Sequence, residues 1–157
     1  MKRYSPSEAK HKIQRYCAYQ ERSHQEVRNK LYSYGLGSRD VDAIMVDLLE
    51  DNFLNEERFA KAFAGGKFRM KKWGRIKIAH ALEEKGVSAN CITIGLREID
   101  ASDYENAVRE FIEDRAQHPG DDNVFARRDR ISKAAMMKGY EADLVWRLLK
   151  EIIPDQR

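Results

Sequence analysis

Apolar residues recur along the chain at helical spacing, and the polar residues between them carry start and stop signals. Ser5, Pro6, Ser7 and Glu8 read as a capping box with proline in the first turn, after which Ile13, Tyr16 and Cys17 mark one helical face. Ser23 and Glu26 form a second box, opening a helix that carries Val27 and Leu31 and stops at Gly35. Ser38 is the expected cap of a third helix, with Val41, Met45, Val46 and Leu49 turned inward. Asn55 caps the next, in which Phe59 and Phe63 share a face ahead of Gly65 and Gly66. Each glycine weakens a helix interior by about 1 kcal/mol relative to alanine, so a kink or close crossing is expected there.

A helix from about Trp73 to Lys85 follows, and another begins near Ser88 and carries Cys91, Ile92, Gly95, Leu96 and Ile99. Ser102 and Glu105 read as a further capping box before Tyr104, Val108, Phe111 and Ile112. His118, Pro119 and Gly120 break the chain. The helix after them leads to Gly139, and the last, with Leu144, Val145, Leu148, Leu149 and Ile152, ends at Pro154. No stretch alternates apolar and polar residues long enough for a strand.

The pattern repeats. Gly35, Gly86 and Gly139 stand 51 and 53 residues apart. Eight residues before each come Val27, Ile78 and Ile131, four before come Leu31, Leu82 and Ala135, and directly after come Leu36, Val87 and Tyr140. A glycine in the left-handed conformation closes a helix and lets the next hydrophobe pack back on it. Repetition near fifty residues predicts an all-α fold of three tandem three-helix repeats, residues 5–51, 53–100 and 102–153, in an elongated, curved array of either hand.

With 157 residues, 42% hydrophobic and 35% charged, the chain is too periodic for disorder and has no continuous apolar run for a membrane span. Its opening MKRYSPSEAK has no secretory apolar core, so a cytosolic protein is the expectation, with a monomer as the simplest oligomeric state. Cys17 and Cys91 form no CxxC pair and are expected as two buried thiols.

Charge is segregated. Residues 1–30, 61–85 and 124–157 are net basic, and 31–60 and 86–123 are net acidic. A basic surface of this kind suits an anionic polymer or an acidic groove in a protein partner. The densest basic stretch places Lys67, Arg69, Lys71, Lys72, Arg75 and Lys77 among Phe68 and Trp73. The lysines could contact phosphates while Trp73 stacks on a base, or Phe68, Trp73 and Ile78 could be core beneath a solvated face. Arg75 and Lys77 diverge by about 200° on an ideal helix and cannot share a face. Arg127, Arg128 and Arg130 form a second, smaller cluster.

Chemistry-bearing motifs are missing. Gly65-Gly66-Lys67 fails as a phosphate-binding loop, because Lys61 and Phe68 occupy the positions that need glycine and Ser/Thr. His11, His24, His80 and His118 lack ligand spacing, and no nucleophile motif is present. The expectation is a binding protein with no catalytic residues, metal or cofactor.

The central segment adds a resemblance. Phe53-Leu54-Asn55-Glu56-Glu57-Arg58-Phe59-Ala60, followed by Gly74, Lys77-Ile78, Leu82 and Lys85-Gly86-Val87, resembles the signature of the RecX family, bacterial regulators of the RecA recombinase. Ala81 stands where that family usually has glutamate, and Ala135 where leucine is common. The resemblance implies a three-repeat helical protein that binds RecA, lies in the groove of its nucleoprotein filament, and hinders filament growth, ATP hydrolysis and strand exchange. It also implies that Phe59 is core, that Gly74 permits close packing and that Arg58 bonds to a neighbouring helix. Partner contacts are then expected from Lys67, Arg69, Lys71, Lys72, Arg75 and Lys77, with Arg127, Arg128 and Arg130 second. Weak direct binding to DNA is a secondary expectation. A stand-alone nucleic-acid binder and a scaffold for an unrelated acidic protein are the competing readings.

Overall fold

A computed structural model describes residues 3–118, 120 and 123–155, so Pro119 of the expected break lies outside the described residues. Among these the chain is all-α, with helices α1 Pro6–Tyr19, α2 His24–Ser33, α3 Ser38–Glu50, α4 Glu56–Lys71, α5 Arg75–Glu84, α6 Ala89–Leu96, α7 Ala101–Ala116, α8 Val124–Met137 and α9 Ala142–Ile152. Gly35, Gly86 and Gly139 all take positive φ, at 90°, 78° and 93°, and each stands between the second and third helix of its sequence repeat. The helix-ending role read from the spacing is therefore what these glycines perform.

Contacts gather the chain into two compact units, one of Met1–Ala62 with Leu82–Gly95 and one of Phe63–Ala81 with Leu96–Arg157. In the first, α1, α2 and α3 pack on one another. Ala9, Ile13, Val27, Leu31, Val41 and Leu48 are fully buried there. Ser5 and Glu8 complete the capping box that opens α1, and the Ser23 hydroxyl accepts from the Glu26 N–H at 3.1 Å. Burial pushes the Cys17 thiol up to about 11, whereas Cys91 is only half-buried. The expectation of two buried thiols holds for Cys17 alone.

The register of α3 differs from the expectation. Val41 and Met45 are buried, but Val46 and Leu49 are 51% and 43% exposed, and Ile44 and Leu48 take the inward places. Seven apolar residues from Val41 to Leu49 offer two overlapping stripes, and packing against α1 and α2 selects one. Ser38 is the first helical residue and not the cap, since Gly37 occupies that position without a side-chain bond. The box expected at Ser102 and Glu105 is replaced by Asp100, whose carboxylate accepts from the Asp103 N–H at 2.9 Å.

Helix α4 opens on Asn55, whose side-chain oxygen accepts from the Arg58 N–H at 2.8 Å. Arg58 pairs with Glu21 in the α1–α2 connection and donates to the Asn52 and Phe53 carbonyls, so its partners are loops and not a helix. Phe59 is 5% exposed. Gly65 and Gly66 interrupt nothing, for α4 continues to Lys71. In the second unit α7, α8 and α9 pack on one another, and Tyr104, Val108, Ile112, Ile131, Tyr140, Val145, Leu148 and Leu149 are at most 2% exposed. No helix among the described residues is long and apolar enough to cross a membrane.

Candidate partner-binding surface

The basic stretch is built on the connection between α4 and α5, all within the second unit. Lys71 ends α4, Lys72 takes a left-handed φ of 57°, and Trp73 and Gly74 lead into Arg75. A non-glycine residue in that region needs support from its surroundings. The support comes from the α8–α9 turn. Tyr140 donates its hydroxyl to the Lys72 carbonyl at 2.6 Å, and the Lys138 ammonium donates to the Lys71 carbonyl at 2.8 Å. In the other direction the Gly74 N–H donates to the Lys138 carbonyl at 2.7 Å and the Ile76 N–H to the Gly139 carbonyl at 3.0 Å. Such a close approach excludes a side chain at Gly74.

Beneath this turn lies Tyr104, 1% exposed, whose hydroxyl accepts from the Arg75 N–H at 3.0 Å and donates to Glu141. The Arg75 guanidinium lies 3.9 Å from the Tyr104 ring centroid and pairs with Glu141 at 2.8 Å. Burial first, and then the Glu141 bond, holds the Tyr104 phenol well above its ordinary pKa. Phe68 and Tyr140 lie 5.7 and 5.9 Å from the same ring, closing an aromatic cluster. Arg75 is thus bound into the fold, while its neighbours in sequence point elsewhere.

Lys67, Lys71 and Lys77 converge on Trp73, their ammonium groups 5.0, 5.5 and 4.7 Å from its ring centroid. Lys72 lies 5.2 Å from the Phe68 ring, and Arg69 is exposed, its guanidinium folded over Gly65. Among the described residues no ion pair engages Lys67, Arg69, Lys71, Lys72 or Lys77. Each cation gains roughly 0.5–1 kcal/mol from the indole face at an exposed site, but like charges gathered on one ring also repel. An incoming anion removes that repulsion. Trp73 is half-buried, Phe68 is 6% exposed and Ile78 is fully buried, so a core role for the last two and a cationic surface above them coexist.

The second cluster is dispersed. Arg128 is 6% exposed and donates twice to the Ile153 carbonyl, with Asp155 at 2.8 Å from a third nitrogen. Arg127 donates to the Ala116 carbonyl at 3.0 Å, and Arg130 lines a groove of about 420 Å³ with Asp114, Arg115 and His118. Sequence reasoning passed over Met70 and Met137, which are 86% and 81% exposed. Their helical spacing gave no signal, because exposure is decided by neighbours distant in sequence.

Helices in a repeating order, with a positive-φ glycine after the second helix of each sequence repeat, define the class as a helical repeat protein. Residues 55–96 match the family model of the second three-helix domain of RecX. The chain is 23% identical over 137 residues to the regulatory protein RecX of Oceanobacillus iheyensis, covering 87% of this chain and 50% of that protein. It is 26% identical over 142 residues to the regulatory protein RecX of Prosthecochloris aestuarii, covering 88% of this chain and 89% of that protein. The chain spans about half the length of the curated relatives from Oceanobacillus iheyensis and Lactobacillus johnsonii. The crystal structure of RecX from Lactobacillus salivarius has the same fold, with a TM-score of 0.85 at 20% identity, covering 94% of this chain and 96% of that one. The chain is thus similar to RecX proteins over most of its length and shares their fold.

Proposed function

We propose that the protein binds RecA and its nucleoprotein filament and inhibits filament extension, ATP hydrolysis and strand exchange during recombination and DNA repair. The observation that carries this reading is the convergence of Lys67, Lys71 and Lys77 on Trp73, with no carboxylate partner among the described residues, on a turn that the fold holds in place. A surface of unpaired cations on a fixed scaffold is suited to an acidic groove, because charge complementarity steers the encounter and the scaffold limits the ordering cost. Arg69 and Lys72 extend the contact surface, and Arg127 and Arg130 are its secondary members. Arg75 and Arg128 serve it by holding the turn and the chain end in position. The working unit is a cytosolic monomer of three repeats, residues 5–51, 53–100 and 102–153. Contacts spread over several repeats would each be modest while the whole holds through multivalency.

The test is the steady-state ATPase rate of RecA on single-stranded DNA, titrated with this protein, beside its affinity for the same DNA alone. Inhibition at well below one molecule per RecA subunit, with weak binding to bare DNA, supports the proposal. Inhibition only at saturation of the DNA would replace it with a nucleic-acid binder acting by competition. The Trp73 ring argues against base stacking as the main contact, since three ammonium groups already lie over it.

A further inference from the structure

Met70 and Met137 are almost fully exposed, and each directly precedes a lysine of the clamp between α4 and the α8–α9 turn. The Lys138 ammonium donates to the Lys71 carbonyl at 2.8 Å, which brings the end of α4 that carries Met70 to the end of α8 that carries Met137. Lys71 and Lys72 are exposed beside them. Two long, unbranched, polarizable side chains left in water next to unpaired cations are poor choices for a merely soluble surface. They are good ones for an adaptable contact with apolar side chains.

We infer that Met70 and Met137, with Lys71 and Lys72, form a docking surface for an acidic protein segment that also carries apolar side chains. The inference rests on the reading of the chain as a regulator that binds a protein filament, and it gives that surface a chemistry. Charge complementarity selects the acidic character. The methionines select a peptide over a phosphate backbone, because a nucleic-acid strand offers phosphates to the lysines but needs a free flat ring to stack its bases. Here the exposed apolar groups are flexible thioethers, and the nearest indole lies under Lys67, Lys71 and Lys77.

The experiment uses the full chain and three labelled probes followed by fluorescence anisotropy. They are an amphipathic Glu/Leu peptide, a Glu/Gln peptide of equal length and charge, and an oligothymidylate of equal charge. The expected result is that the Glu/Leu peptide binds about tenfold more tightly than the Glu/Gln peptide. M70Q/M137Q removes that preference without lowering the melting temperature, and K71E/K72E removes binding of both peptides. Equal affinity for the two peptides, or an undiminished preference in M70Q/M137Q, overturns the inference. Loss of oligothymidylate binding in M70Q/M137Q would assign the surface to nucleic acid, and a dimer of the wild type that this variant dissolves would assign it to a second copy. The RecA hydrolysis assay separates the two levels. Wild-type inhibition that M70Q/M137Q leaves intact defeats the docking surface alone, whereas absence of wild-type inhibition defeats the filament reading whatever the peptides do.

Discussion

A Cβ added to Gly74 would lie 2.1 Å from the carbonyl carbon of Gly139, so these two glycines set how closely the α4–α5 connection approaches the α8–α9 turn. The obstacle is backbone and cannot rotate away. Gly74→Ala is therefore expected to cost about 3 kcal/mol, the upper range for forcing atoms into a packed site. Gly66, inside α4 with nothing within 4 Å of its added Cβ, is the control. Gly66→Ala should gain about 1 kcal/mol from helix propensity alone. Urea denaturation of both variants checks the pair, and equal effects would show that the close approach is not what the glycine supplies.

The cationic cluster and the internal arginines should separate in function. K67Q/K71Q/K77Q touches three side chains with no ion pair among the described residues, so the melting temperature should hold, relief of the lysine repulsion offsetting the lost cation–π contacts. Inhibition of RecA hydrolysis should fall by an order of magnitude or more. Arg128→Ala should do the reverse. It strands the Ile153 carbonyl and is expected to cost about 2–3 kcal/mol while leaving the inhibitory potency of the folded fraction intact. Thermal melts run beside ATPase titrations distinguish the two.

Arg58 is expected to act as a strut. It joins Glu21 to the Asn52 and Phe53 carbonyls, fastening the start of α4 to the α1–α2 and α3–α4 connections. Its side chain is 38% exposed, so solvent screening limits the ion pair, and Arg58→Ala should cost about 1–2 kcal/mol. Arg58→Lys should recover less than half of this, because one ammonium cannot reach all three acceptors. Chemical denaturation gives the values, and a lysine variant as stable as wild type would refute the fork.

Stability should decline in alkali. Burial raises the Cys17 thiol from 9.0 to about 11 and the Tyr140 phenol from 10.0 to about 12. In both cases the folded state favours the protonated form, so the unfolded chain loses its protons first. The contribution is complete below pH 9, is lost progressively as pH rises from there, and is gone above pH 12. The urea midpoint should fall steadily across that window. Tyr140→Phe should lower the midpoint at neutral pH, through the lost bond to Lys72, and flatten its alkaline slope.

Local signals proved the most readable. Gly35, Gly86 and Gly139 were legible because a helix end that needs positive φ leaves glycine almost without substitutes. Ser5, Ser23 and Asn55 were legible as caps for a similar reason, since each bond closes within three residues. The face of α3 was not, because Val46 and Leu49 compete with Ile44 and Leu48 on equal terms until α1 and α2 are in place. Among the candidate site residues, Arg127, Arg128 and Arg130 look alike in sequence. Only the return of the chain to Ile153, twenty-five positions on, buries the middle one. Trp73 was found by its basic neighbours, but that three of them would share its ring depended on the sharp turn at Lys72.

That turn also bears on how fast and how tightly a partner can be held. A lysine-rich connection between two helices would ordinarily wander among many shapes and give up that freedom on binding. Residues 71–74 have already surrendered it during folding, fixed by the Lys138 and Tyr140 side chains and by backbone bonds from Gly74 and Ile76. Capture then resembles a key meeting a cut lock, with little heat-capacity change from local folding and an association rate that tracks ionic strength rather than a slow rearrangement.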